Sequence, residues 1–287
     1  MDDLPLNIAS HVSNSEMRSI VERLLEKIKK ENIPVTAFVN ESKLEVNGTR
    51  DPDRVAILKL WLDAGVDLGN HTYAHKSENQ VSVSEAKEDI LKGERTIKEL
   101  LAAQGKKPKY FRHPFLHTGR DSATRAEINR FLDSLGYTVA PVTIDNAEWI
   151  FSAAFDKAYG QNDSLLMKSV AEQYISYMHA KLRYFEKNCD SLFARQIKQI
   201  LLIHSNRLNS FYFSSLCAML RNEGYSFAGL EDILKDEAYR SRDAFYGPGG
   251  ISWLHRWALT RGKRGAFFAG EPEAPKEIME LAGVKSE

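Results

Sequence analysis

Six short, mainly apolar runs, most followed by a longer stretch with helical spacing, restrict this chain to an α/β architecture. They are IPVTAFVN (33–40), VDLGN (66–70), KYFRHP (109–114), YTVAPVTID (137–145), QILLIHSN (199–206) and YSFAGL (225–230). Such runs are too apolar to leave one face in water. They read as a parallel sheet covered by helices, either doubly wound or closed into a barrel. The helical stretches carry their own punctuation. Ser13 and Glu16 have capping-box spacing ahead of an apolar stripe at Ile20, Val21, Leu24, Leu25 and Ile28. Residues 53–64 stop at Gly65, 84–104 at Gly105 and 122–135 at Gly136. A helix is expected at 211–223, and a long helical insert at roughly 153–190.

Composition narrows the function classes. The chain has 39 basic and 39 acidic residues in 287, a formal charge of zero, which argues against a nucleic-acid or polyanion binder. No apolar run approaches the ~18 residues of a membrane-spanning helix. Cys189 and Cys217 cannot build a disulfide framework and read as two buried thiols.

In parallel α/β folds the chemistry sits on loops leaving the C-terminal ends of the strands, and the polar clusters fall there. His71 and His75 in HTYAH are four apart, so one turn brings both imidazoles to one metal; spacing alone also allows a chance pair. His113 and His117 repeat the spacing, but Pro114 works against a continuous helical turn there. Asp2 and Asp3 read either as a solvated acidic terminus or as a metal ligand and a general base. Arg112 suits a bidentate carboxylate partner or ordinary packing. Asp145, Glu148 and Trp149 follow a strand, where an acid can pair with Arg112 or orient a histidine and the indole can wall a sugar ring or join the core. His204 ends the run QILLI, as a satisfied core histidine or as a proton donor.

Taken together, the order D-D, H-T-x-x-H, R-x-P-F, D-x-x-E-W, L-L-I-H resembles the polysaccharide deacetylase superfamily, the NodB-homology group or carbohydrate esterase family 4, over about residues 2–230. The resemblance implies a distorted (β/α)7 barrel. It implies a divalent metal on Asp3, His71 and His75, with zinc preferred and cobalt, nickel or iron as alternatives. Asp2 would be the general base, with Arg112 in the polar shell around it. Glu148 would stand where the family has an acidic residue, and His204 would be the general acid. The Phe115 N–H would face the oxyanion, with Trp149 and Asp145 on the substrate side. The implied reaction removes acetyl groups from N-acetylated sugars of an oligo- or polysaccharide. A non-catalytic carbohydrate-binding homologue, and a same-fold hydrolase of another amide or an ester, are the alternatives. Three departures are expected to matter: DDLP in place of DDG, Glu148 in place of Asp, and no strand before Asp2.

The last departure carries an expectation that Met1 is an internal methionine of a longer chain. That chain would supply an apolar first strand and a signal peptide, and the working protein would be periplasmic or secreted. Residues 1–230, with the insert, are expected to form the barrel, and 231–287 a tail packed on it. In the tail, Trp253, Leu254 and Trp257 read as a helix face packed on the barrel, with its arginines in water.

Overall fold

The computed structural model describes the whole chain, Met1–Glu287. Its elements alternate as expected at first: α1 (Asn14–Glu31), β1 (Thr36–Val39), a β2/β3 hairpin (Glu45–Val46, Thr49–Arg50), α2 (Pro52–Asp63), β4 (Asp67–Asn70), α3 (Val83–Lys92) and α4 (Arg95–Ala102). There follow β5 (Tyr110–Phe111), α5 (Ser122–Ser134), β6 (Thr138–Val139), α6 (Glu148–Gly160), α7 (Ser164–Phe193), α8 (Arg207–Asn222) and α9 (Leu230–Ile233). The tail adds α10 (Trp253–Thr260) and α11 (Lys276–Ala282).

Local chemistry explains most boundaries. The Ser13 hydroxyl accepts the Glu16 N–H, the predicted stripe of α1 is buried, and Asn32 closes the helix at φ 51°. The expected helix at 84–104 is two helices. Gly93 lies so close to the end of β4 that a Cβ there would sit 2.5 Å from the Thr72 carbonyl carbon, and the helix axis breaks around this contact. The predicted insert is likewise two helices, α6 and α7, separated at 161–163. The hairpin turns on Asn47-Gly48, both at positive φ, a pair that marks a two-residue turn in sequence.

The sheet is parallel, in the order β1-β4-β5-β6, with Thr36–Val39 in register with Asp67–Asn70. Single bridges carry the order around: Ile144 to Leu201, His204 to Asp2, and Leu4 to Val39. The segment after β6 therefore returns through 201–204 and 2–4 to β1, and the sheet closes into a distorted barrel. Met1 to Leu4 lie between β1 and 203–205. The Met1 amine donates to Thr36 O at 2.8 Å, Asp2 N–H to Ile203 O at 2.8 Å and Leu4 N–H to Phe38 O at 3.0 Å. Residues 2–4 thus occupy a strand position in the ring themselves. Beneath Met1 is an apolar cavity of about 180 Å³ between β1 and 199–203, lined also by Phe213 and Leu216.

One expected strand is absent. YSFAGL (225–230) forms no ladder; Tyr225, Phe227 and Leu230 line the apolar cavity instead. A strand needs a neighbour for its N–H and C=O groups, and here the side chains fill space that no backbone reaches. Both cysteines are free and buried. No helix is long and apolar enough to cross a membrane.

The tail packs as part of the main core. Trp253, Leu254, Trp257, Ala258 and Ile278 are buried with barrel residues in one cluster. The expectation of solvated tail arginines holds for Arg261 and Arg264 but not for Arg256, which is 1% exposed and bonded to Asp243 and Thr118. Trp257 meets the rings of Phe193 and Tyr239 edge-on, each at 5.7 Å. Trp257→Ala is expected to lower unfolding free energy by about 3–5 kcal/mol, measured by urea denaturation. An unchanged midpoint would show the tail to be peripheral to the fold.

Candidate active site

Asp2 and Asp3 are delivered by the closing segment, flanked by 203–205 on one side and β1 on the other. The Ser205 N–H donates to Asp2 O at 3.0 Å, which adds to the Asp2–Ile203 bond. Asp3 takes φ 69°, outside the strand conformation that would send its side chain to the opposite face, and both carboxylates come within 4 Å of His71 Nε2. The His71 N–H continues the ladder onto Val39 O. The segment 71–75 is a loop and not the expected helical turn, because side chains take the N–H groups a helix would use. Asn70 Oδ1 accepts the Thr72 N–H at 2.8 Å and Thr72 Oγ1 accepts the His75 N–H at 3.1 Å, with Thr72 and His75 both at positive φ.

This loop brings the imidazoles together edge-to-face, with ring centroids 4.7 Å apart. Asp3 Oδ1 lies 3.9 Å from His71 Nε2 and 3.8 Å from His75 Nε2. These three residues form the His/Asp cluster able to hold a metal ion. Four observations fit a metal there. Asp3 Oδ1 is buried with no hydrogen-bond partner. Its other oxygen is held by Lys43 Nζ at 3.1 Å, which leaves Oδ1 facing the rings. His71 Nδ1 is 2.7 Å from Arg112 O, and since a carbonyl only accepts, the proton is on Nδ1 and Nε2 carries the lone pair. Burial lowers both histidine pKa values, His75 to about 3, so the rings are neutral as ligands must be. The nitrogen–oxygen spacings are only slightly wider than the ~3.4 Å edge of a tetrahedron with ~2.1 Å bonds.

Asp2 is 3% exposed. Its Oδ2 is 3.8 Å from both His71 Nε2 and Arg112 Nη1, and its Oδ1 is 3.8 Å from the Met1 amine and accepts no hydrogen bond. Burial alone would raise its pKa; the charge of Arg112 opposes this, and Asp2 is held below the usual carboxylate value. Arg112 is itself 2% exposed, stacked on the Phe38 ring at 4.7 Å, and its Nε and Nη1 donate no hydrogen bond.

His204 arrives beside Asp2 through their bridge. Its Nδ1 donates to Glu148 Oε2 at 2.7 Å. Glu148 Oε1 accepts from Asn206 Nδ2 and, at 2.6 Å, from Asn209 Nδ2. Burial opposes a charge on His204, but the bond and charge of Glu148 prevail and push its pKa up to about 9. The expected sharing of this role by Asp145 is not seen. Its Oδ1 accepts the N–H of its own neighbour Asn146, it hydrogen-bonds neither Arg112 nor His204, and burial pushes its pKa up to about 7. Asp145 instead lines a cleft of about 360 Å³ with Trp149, Lys181, Gly250 and Glu271. Trp149 and Phe115 are exposed there and beside His75, at 44% and 54%. Phe115 has φ 55° and its ring centroid is 4.4 Å from that of His75.

His113 and His117 make no pair. His113 donates to buried Glu78 at 2.6 Å, and His117 lies 2.7 Å from Ser77 Oγ. Lys43, Asn206 and Asn209 escaped sequence reasoning. Lys43 sits in a plain ESKL turn, 40 residues from its partner; the asparagines follow His204 closely but look like an ordinary helix start.

The family model described as polysaccharide deacetylase matches residues 2–140, the stretch that carries Asp2, Asp3, His71, His75 and Arg112. The chain is 31% identical over 93 residues to the peptidoglycan-N-acetylglucosamine deacetylase of Bacillus cereus; the match spans 32% of this chain and 30% of that protein. The fold resembles a chitin deacetylase from the fungal pathogen Colletotrichum lindemuthianum (TM-score 0.50, 21% identity, 82% of this chain and 85% of that one). It also resembles a carbohydrate esterase family 4 pseudoenzyme from Bacillus anthracis (TM-score 0.52, 18% identity, 76% of this chain and 61% of that one). At these identities the likeness is one of fold. Glu148, Trp149 and His204 lie beyond the matched stretch.

Proposed function

We propose that this protein is a metal-dependent deacetylase acting on N-acetylated amino sugars of a polysaccharide. The observation that carries this reading is one small buried space holding three neutral or anionic ligand groups, a carboxylate on one side and a histidine–carboxylate pair on the other. Asp3, His71 and His75 would hold the ion, which when bound supplies a positive charge that polarises the acetamide carbonyl. Asp2, kept ionised by Arg112, accepts a proton from the attacking water. The Phe115 backbone, turned by its positive φ, offers its N–H to the oxyanion. His204, protonated at neutral pH through Glu148, gives its proton to the leaving amine, and acetate and a free amino sugar result. Asp145 and Trp149 border the sugar path. Acetylated wall polymers lie outside the cytoplasm, so the working protein acts there.

The test is metal analysis of the purified protein with an acetate-release screen over chitin, peptidoglycan and xylan fragments. Stoichiometric metal and acetate from an N-acetylated oligosaccharide are expected. A metal-loaded, folded protein that releases acetate from none of them would reject the reading.

A further inference from the structure

The loop that presents Phe115 is strained. Phe115 and Leu116 both take φ 55°, and non-glycine residues held there cost about 1–3 kcal/mol each unless their surroundings impose the conformation. The surroundings come from the tail, more than a hundred residues away and outside the stretch matched to the family. Gly250 meets the loop head-on. A Cβ on it would sit 1.6 Å from Phe115 O, 2.7 Å from Phe115 C and 3.3 Å from Leu116 Cβ. The φ of Gly250 is not in the left-handed region, so closeness of approach, not backbone conformation, requires glycine here. Asn79 ties the same two segments: its Nδ2 donates to Gly247 O at 3.0 Å and its Oδ1 accepts the Gly119 N–H at 3.0 Å. Buried Arg256 donates to Thr118 Oγ1 at 2.7 Å. The tail is in turn anchored on the barrel, since Trp253 N–H donates to Val142 O and Ser252 Oγ to Thr143 O, both at 2.7 Å. Gly250 also lines the cleft that holds Trp149.

We propose that the tail, through Gly250, Gly247 and Arg256, is a positioning element of the reaction cleft. It clamps residues 113–119 in the turn that sets Phe115 beside His75, and it continues the cleft wall from Phe115 to Trp149. The proposal rests on the deacetylase reading for its consequence in turnover, but not for the clamp itself.

Three variants of the metal-loaded full chain test it. Gly250→Ala drives a methyl group into the Phe115 carbonyl. Gly249→Ala is the control, because the nearest atom to its Cβ would be Ile251 Cγ2 at 3.9 Å. Asn79→Asp keeps the acceptor for Gly119 and removes the donor to Gly247. Three quantities are read: bound metal, kcat and KM on an acetylated chito-oligosaccharide, and amide hydrogen exchange at Leu116 and His117, whose N–H groups bond His113 O and Pro114 O. Gly250→Ala should keep its metal, exchange those two amides faster and lose kcat by about 10²-fold, as for a misplacement near 1 Å, with KM changing much less. Asn79→Asp should shift the same readouts in the same direction by less, and it decides the matter if Gly250→Ala does not fold. Gly249→Ala should match wild type. Unchanged exchange and kcat in Gly250→Ala, or an equal loss in Gly249→Ala, would overturn the proposal. If wild-type protein releases no acetate, the deacetylase reading fails, and the exchange comparison still decides whether the tail holds the loop.

Discussion

His71→Ala and His75→Ala should each abolish stoichiometric metal binding at micromolar metal, and with it acetate release. Either change removes one of three ligand atoms grouped around Asp3 Oδ1. The loss should exceed the roughly 10–100-fold that removing an outer-shell partner of a metal site costs. Thermal stability gives a readout free of turnover. A metal at about 100 times its Kd stabilises the native state by ~2.7 kcal/mol, so zinc should raise the melting temperature of wild type and not of these two variants. His117→Ala should keep both the metal and the thermal shift, since that ring faces Ser77. His113→Ala should keep the metal but lose stability by about 3–5 kcal/mol, because Glu78 is left buried without its partner. Metal retained by the first pair and lost by the second would show that the wrong histidines have been assigned.

His204→Ala should bind metal normally and lose kcat by roughly 10²–10⁴-fold, the range for a general acid. The pH dependence gives the finer test. With its pKa at about 9, His204 holds its proton across neutral pH, and activity should fall on the alkaline side near that value. Glu148→Gln keeps a hydrogen-bonding side chain but removes the charge, so the alkaline limb should move down toward the ordinary imidazole value of 6.5. The same shift has a stability consequence of definite sign. A histidine whose pKa is raised by folding contributes stability that is complete below 6.5 and is lost as pH rises through about 9. Wild type should therefore lose stability over that interval more steeply than His204→Ala. An alkaline limb that stays in place in Glu148→Gln would detach Glu148 from the acid.

What the chain order carried unaided was everything written in short-range pattern. The apolar stripe and Ser13 cap of α1, the apolar strand at 36–39 and the glycine stops depend on residues three or four apart, or on the preference of one residue for one conformation. The five polar clusters were legible because parallel α/β folds send their strand ends to one face, so sequence position after a strand already implies spatial company. Tertiary structure decided the rest. HTYAH looks like a helical turn by spacing, yet Thr72 and Asn70 side chains capture its N–H groups. Helix 84–104 has no local reason to break beyond Gly93, whose role appears only when Thr72 lies against it. Arg256 reads as a surface arginine until Thr118 and Asp243 surround it. Asp2 becomes a buried, ordered carboxylate because 203–205 and β1 receive its segment as a strand. Lys43 reaches Asp3 across 40 residues and Gly250 meets Phe115 across 135, and such contacts leave no periodic trace along the chain. Local free-energy preferences select helices and strands one segment at a time, whereas the electrostatics of a buried site depend on which distant groups share a volume from which water is excluded, and only the packed fold sets that.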